Sequence, residues 1–345
     1  MKKILYSVLF ILVISCVLVA CGGSGNNECE HDWRTVTTEA TCTDGGYDTM
    51  TCQKCGESQR ANETEKTDHG YSVVYSFNDT DHWFACKGCG IEKGKASHTP
   101  DGEGVCTVCQ VPISATEGII YSVSADGTYA VVTGYEGEAT KVRIASEYND
   151  LPVRNISERA FAGNTDITLV AIPDSVTGIS SLAFSGCKGL ITVMIPESVT
   201  SIGELAFNQC RSLASVVIPD SVTRMDPGVF TFCVNLTSAV IGNGVKIVGY
   251  RTFYGCTSLT SVIVGNNVTD IGEAVFYGCE GLTLIVIPKS VIKISRDAFC
   301  DCDSLADVYY EGSEDDWANI NVYSGNSNNK PLSRATKHYN YILEE

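Results

Sequence analysis

The chain has 345 residues, with 41 Asp and Glu against 24 Lys and Arg and a formal net charge of -17. That balance argues against a partner read through its phosphates, nucleic acid above all, and a hydrophobic content of 44% argues against wholesale disorder. Length predicts about two domains at roughly 150 residues each, which leaves the 17 cysteines as the quantity to explain.

Met1-Lys2-Lys3 is a short positive start, and Ile4 to Val19 is apolar apart from Ser7 and Ser15. At about 1.5 Å per residue this run is marginal for a ~30 Å hydrocarbon core, so it reads as a signal segment over residues 1–20. It ends Leu18-Val19-Ala20-Cys21-Gly22, followed by a flexible tether over residues 21–28. This resembles a bacterial lipobox. The resemblance implies cleavage before Cys21 and a diacylglycerol on its thiol, hence a membrane anchor and an extracytoplasmic chain. Two acyl chains anchor stably where one does not.

Residues 29–112 hold eight cysteines and four of the five histidines. Three Cys-x-x-Cys pairs recur: Cys52/Cys55, Cys86/Cys89 and Cys106/Cys109. Such a turn brings two thiolates to one tetrahedral centre, and a glycine after the second cysteine, as at Gly56 and Gly90, lets the backbone turn beneath it. Cys86, Cys89, Cys106 and Cys109 have zinc-ribbon spacing. A modular grouping competes with it: His31, Cys42, Cys52 and Cys55 as one set, and His69, His82, Cys86 and Cys89 as another, with His98, Cys106 and Cys109 as an incomplete third. Four disulfides or a thiol-redox role are the rivals to structural zinc. Redox chemistry of the thioredoxin kind needs a βαβ context, which this loop-rich segment lacks.

Residues 113–148 are expected to form an N-terminal β cap, entered through a hairpin at Tyr121 to Tyr129. Beyond it six cysteines, Cys187, Cys210, Cys233, Cys256, Cys279 and Cys302, recur every 23 residues. Rows of 23 give seven turns over residues 149–309, with a phenylalanine column (Phe161 to Phe299) and a valine column (Val153 to Val291). Asn164 stands at the head of the cysteine column, which suggests a small buried donor serving a neighbouring turn. Each row has one alternating stretch, such as Leu190 to Ile195, that predicts a short strand. A return segment such as Ile202 to Phe207 is expected to be a helical or 3₁₀ turn. One row cannot bury its apolar face alone, so the rows must stack.

The row I-P-x-S-V-T-x-I-x-x-x-A-F-x-x-C-x-x-L-x-x-V resembles the BspA-like (Treponema-type) leucine-rich repeat of bacterial surface proteins. The resemblance implies a β-rich leucine-rich repeat solenoid, an arc with a parallel sheet on its concave face. Residues 310–345, including Tyr310, Trp317 and His338, resemble the closing cap of such arrays, and open ends need one. If Val193 and Ile195 point inward, the alternate residues point out. One outward row runs Leu169, Thr192, Ser215, Ser238, Ser261, Leu284, Asp307. The second runs Ala171, Met194, Val217, Val240, Ile263, Val286, Tyr309. Seven strands at ~4.8 Å make that face ~30 Å wide. Met194, Val217, Val240, Ile263, Val286 and Tyr309 are therefore the expected partner-binding residues, with stabilising β-branched ladders as the alternative use of the same row.

The expected function is that of a lipid-anchored cell-surface protein that binds an external protein or glycan without catalysis. The alternative is a metal-handling or thiol-redox lipoprotein acting through its cysteine pairs. The repeat rows contain no histidine to serve as a base beside their serines.

Overall fold

The computed structural model describes residues 33–38, 47–52, 58–61, 76–77, 81–85, 92–99, 105–106, 108, 110–323 and 329–341. The chain divides into two compact units. In the first, Trp33–Thr38, Tyr47–Cys52 and Ser58–Ala61 form an antiparallel three-stranded sheet. The second holds a small antiparallel sheet of Ser76–Phe77, Asp81–Ala85 and Glu92–Ser97, and the repeat array.

The array is a β-solenoid whose rows pair in parallel at a register of 23. The predicted strands form the first sheet, in two hydrogen-bonded parts: Leu169–Ala171 with Thr192–Met194, and Ser215–Ile218, Ser238–Ile241, Ser261–Ile263, Leu284–Ile287 and Asp307–Tyr310 in succession. Leu169 lies opposite Thr192, and Val217 opposite Val240. A second column of parallel two-residue strands was not foreseen. It includes Gly178–Ile179, Ser201–Ile202, Arg224–Met225, Ile247–Val248, Asp270–Ile271 and Lys293–Ile294. Two residues are too few to show alternation, so these strands exist only because the next row supplies their partners.

Between the two columns one continuous core runs from Ala130 to Ala335. The phenylalanine column is a stack inside it, with neighbouring ring centroids 4.9 to 5.6 Å apart. Tyr135 closes the stack at its start, 5.9 Å from Phe161.

The return segments are not helical, which corrects the expected helical or 3₁₀ turns. Each row places two residues in the left-handed region, Arg159 and Gly163 in one row and Leu182 and Gly186 in the next. Left-handed residues interrupt any right-handed helix. Alternate amides close local turns (Ala160 N to Ser157 O, 3.2 Å; Ala162 N to Arg159 O, 3.0 Å). The intervening amides reach the next row instead (Phe161 N to Ala183 O, 2.8 Å; Gly163 N to Ser185 O, 2.7 Å). Every turn thus spends half its donors on stacking, which satisfies buried backbone without a helix.

Both flanks extend the array in parallel. Ala130–Tyr135 pairs with Leu151–Ile156, and Lys141–Arg143 with Leu169–Ala171, so the N-terminal cap supplies a turn that lacks the repeat motif. At the other end Asn321–Val322 pairs with Lys293–Ile294 and Thr336–His338 with Asp307–Tyr310. No eighth motif row follows Phe299, so a side chain substitutes for one. Asn329, itself buried, accepts from Phe299 N at 3.0 Å and donates to Ser295 O at 3.0 Å. Among the described residues no helix is long and apolar enough to cross a membrane.

Candidate protein-binding face

The alternation in the first sheet places Val193, Val216, Ala239, Val262, Ile285 and Val308 in the core. The second outward row therefore faces away from it, in unbroken register from Ala171 through Met194 and from Val217 through Val240, Ile263 and Val286 to Tyr309. Direction follows the expectation; accessibility does not. Met194 is only 8% exposed, and with Leu169 and Ala171 it forms a second apolar cluster completed by Cys106 and Val111.

The segment that covers them is clamped in place. Val105 bridges Pro112, Cys106 N donates to Val111 O (2.8 Å) and Gln110 N to Cys106 O (2.9 Å). The buried Arg143 donates from Nη1 to Pro112 O and Ile113 O at 3.1 and 3.2 Å, and its own amide is bound by Thr116 Oγ1. Lys141 Nζ reaches Gln110 Oε1 at 3.0 Å. The edge of the first sheet is thereby covered. Met194 is accordingly removed from the solvent-facing set.

Val286 is removed too, at 4% exposed. It lies between Ile263 and Tyr309 in register, beside an aromatic cluster that the 23-residue spacing did not reveal. There the Tyr309 ring stacks on His338 at 4.6 Å and meets Tyr341 at 4.7 Å. His338 Nε2 lies 2.7 Å from Asp307 Oδ1. His338 stands opposite Tyr309 because Thr336–His338 adds a further parallel strand, 29 residues on from its partner rather than 23. The row that stays partly open is Val217, Val240 and Ile263, bordered by Ser215, Ser238 and Ser261.

The cysteine column is inert. Each thiol donates to the carbonyl of the preceding row's phenylalanine, from Cys187 Sγ to Phe161 O at 3.0 Å to Cys302 Sγ to Phe276 O at 3.0 Å. Burial pushes the Cys187 and Cys256 thiols up to about 12, and Cys210, Cys233 and Cys279 well above their ordinary value. They are protonated donors, not nucleophiles. Asn164 plays the opposite part to the one expected. With no motif row before it, its Oδ1 accepts from Asp166 N and Ile167 N, both at 3.0 Å. Cys300, two residues before Cys302 and outside the 23-residue column, is buried beside Tyr277, whose phenol is pushed up to about 12 by hydrogen bonds to Cys300 and Asp301.

Of the other candidate site residues, Cys21, His31, Cys42, Cys55, His69, Cys86, Cys89 and Cys109 lie outside the described residues. Cys52 ends the strand Tyr47–Cys52, and His82 lies on Asp81–Ala85 opposite Phe77 and Ala96. Among the described residues no three metal-ligating side chains come together. A depression of about 530 Å³ on the second sheet is lined by Arg154, Asn155, Ser180, Ser201, Arg224 and Asp226 among others, with no histidine or cysteine in its lining to activate a serine.

The fold and this face define a leucine-rich repeat solenoid. The model of the BspA type leucine rich repeat region matches residues 154–283 and 223–324, and this chain belongs to that family. It is similar to the crystal structure of a T. pallidum leucine-rich repeat protein, with 29% identity over 56% of this chain and 90% of that one and a TM-score of 0.53. A leucine-rich repeat protein from Bacteroides capillosus shares 32% identity over 37% of this chain and 96% of its own, with a TM-score of 0.34. A leucine rich cell surface protein from Faecalibacterium prausnitzii shares 20% identity over 61% and 98%, with a TM-score of 0.26. No curated protein matches. Folds of this family are interaction scaffolds, usually without catalysis.

Proposed function

We propose that this chain is a lipid-anchored bacterial surface protein whose first-sheet row, centred on Val217, Val240 and Ile263, binds an external protein without catalysing a reaction. One observation carries the reading. The start of the same face already holds a polypeptide segment of apolar side chains, Cys106 and Val111 on Leu169, Ala171 and Met194. Aliphatic side chains rimmed by serines suit an apolar peptide surface better than a sugar, which favours protein over glycan here. Val217→Asp, Val240→Asp and Ile263→Asp, tested singly in capture of surface proteins by the full chain, should abolish retention of the partner with the melting temperature unchanged. Retention by all three variants overturns the reading.

The anchor rests on Leu18 to Gly22, and Cys21→Ser should release the chain from membranes and remove incorporation of labelled fatty acid. For residues 29–112 a structural zinc role is the reading we favour. Gln110, next in sequence after Cys109, is in the left-handed conformation (φ 62°), in keeping with a tight turn after a Cys-x-x-Cys pair. Complete burial of Cys106 favours a structural part over a redox one. Purified protein should carry stoichiometric zinc, with protease resistance of this segment lost on chelation; disulfides detected instead would overturn it.

A further inference from the structure

Each turn has one left-handed residue in the column Gly163, Gly186, Gln209, Phe232, Gly255, Gly278, Asp301, with φ from 57° to 77°. Phe232 is the anomaly. A bulky residue held at φ 57° is strained, and at 43% exposed it gains little burial to offset this. Its ring lies across the next turn, where a Cβ on Gly255 would stand 2.6 Å from Phe232 Cδ1, so a glycine there clears the space. Tyr254 meets Phe232 edge-on at 5.4 Å and stacks on Tyr277 at 5.0 Å.

Arg251 is held beside this platform. Its guanidinium lies 4.8 Å from the Tyr250 ring centroid and 4.9 Å from that of Tyr254. Tyr250 is itself 42% exposed. Among the described residues the Arg251 guanidinium makes no ion pair and no hydrogen bond, in a chain with 41 acidic residues. Two aromatic rings thus fix a cation whose hydrogen-bonding fork is unspent.

We propose that Phe232, Tyr250, Arg251 and Tyr254 form a site for a carboxylate-bearing saccharide of the uronic or sialic acid class, separate from the first-sheet row. The flat ring of Phe232 takes the apolar C–H face of a pyranose, and the guanidinium takes the carboxylate in bidentate fashion. The phenol of Tyr250 offers a donor and an acceptor to ring hydroxyls. A peptide is the poorer fit. The backbone of these turns is already engaged between rows (Gly228 N to Tyr250 O, 2.8 Å; Phe232 N to Tyr254 O, 2.7 Å; Gly255 N to Tyr277 O, 2.7 Å). A peptide therefore finds no strand edge there to extend.

The test is calorimetric titration of the full chain with trigalacturonate, a hyaluronate tetrasaccharide and sialyllactose, each beside its methyl ester, and with a hexaglutamate peptide. At least one acid should bind saturably, about tenfold more tightly than its ester. Phe232→Gly should weaken it by a similar factor with a melting temperature unchanged or raised, since glycine is the column's common residue. Arg251→Gln should make acid and ester equal, and Val240→Asp should change nothing, so failure of the protein-binding row and failure of this site are told apart. Absence of saturable binding by every acid, binding unaffected by Phe232→Gly, or tighter binding of hexaglutamate overturns the proposal.

Discussion

The outward row of the first sheet has the same grammar at Met194 as at Val240, yet the two positions live in different surroundings. Met194 lies under Cys106 and Val111, and Val240 is partly open between Val217 and Ile263. A repeat therefore dictates which way a side chain points. Whether solvent or a partner can reach it is decided by segments outside the repeat, here residues 105–106 and 110–116 at one end and 336–341 at the other.

The largest expected effect leaves that row and tests the common core beneath it. Phe253→Ala, in the middle of the ring stack, should cost about 3–5 kcal/mol in denaturant unfolding, because neither adjoining row can collapse into the gap. A loss under about 1 kcal/mol would mean that the rows are stabilised independently of the stack. Next, Met194→Asp should destabilise by about 2–4 kcal/mol, since it buries a carboxylate without a partner. Val240→Asp should stay within about 1 kcal/mol of the parent. Equal melting shifts for the two would break the distinction between the covered and open stretches.

A smaller effect concerns the thiols. Cys233→Ala removes the donor to Phe207 O and should cost about 1–2 kcal/mol. The native column should resist iodoacetamide at pH 8 and react fully after unfolding, as read by mass spectrometry. The smallest effect lies at the C-terminal cap. Asp316 closes a capping box with Ser313 and lies 3.1 Å from Lys289 Nζ. Bonds from the Ser313 amide and hydroxyl, with Lys289, hold its carboxyl at about 2. A carboxyl depressed below its unfolded value of about 3.9 contributes stability that is complete above that pH and is lost as pH falls through the folded value. Hydrogen-exchange protection of residues 314–318 should therefore decline between pH ~4 and ~2, and Asp316→Asn should flatten that decline.

The cysteine, phenylalanine and valine columns were legible because a strict period over seven rows leaves no other architecture that buries them together. The second column of strands was not, because pairs such as Gly178–Ile179 carry no pattern of their own. Asn164 was misjudged because the same side chain can donate or accept, and only the absence of a motif row before it selects acceptance. His338 was placed in the cap, but its return to the outward row beside Tyr309 depends on a pairing that breaks the period. Phe232 was visible as a letter, whereas its left-handed backbone and its place beside Arg251 were not.

The sequence by itself determined that this protein is a stack of 23-residue turns, which residues fill the core, and which way the strand residues face. Those follow from periodicity and from the need to bury an apolar face against the next row. Only the tertiary structure decided that Met194 and Val286 are covered, that Val217, Val240 and Ile263 remain partly open, and that the Arg251 guanidinium lies against two tyrosine rings and makes no ion pair among the described residues. Accessibility and pairing belong to whatever packs over a side chain, and the covering segments here lie outside the repeat.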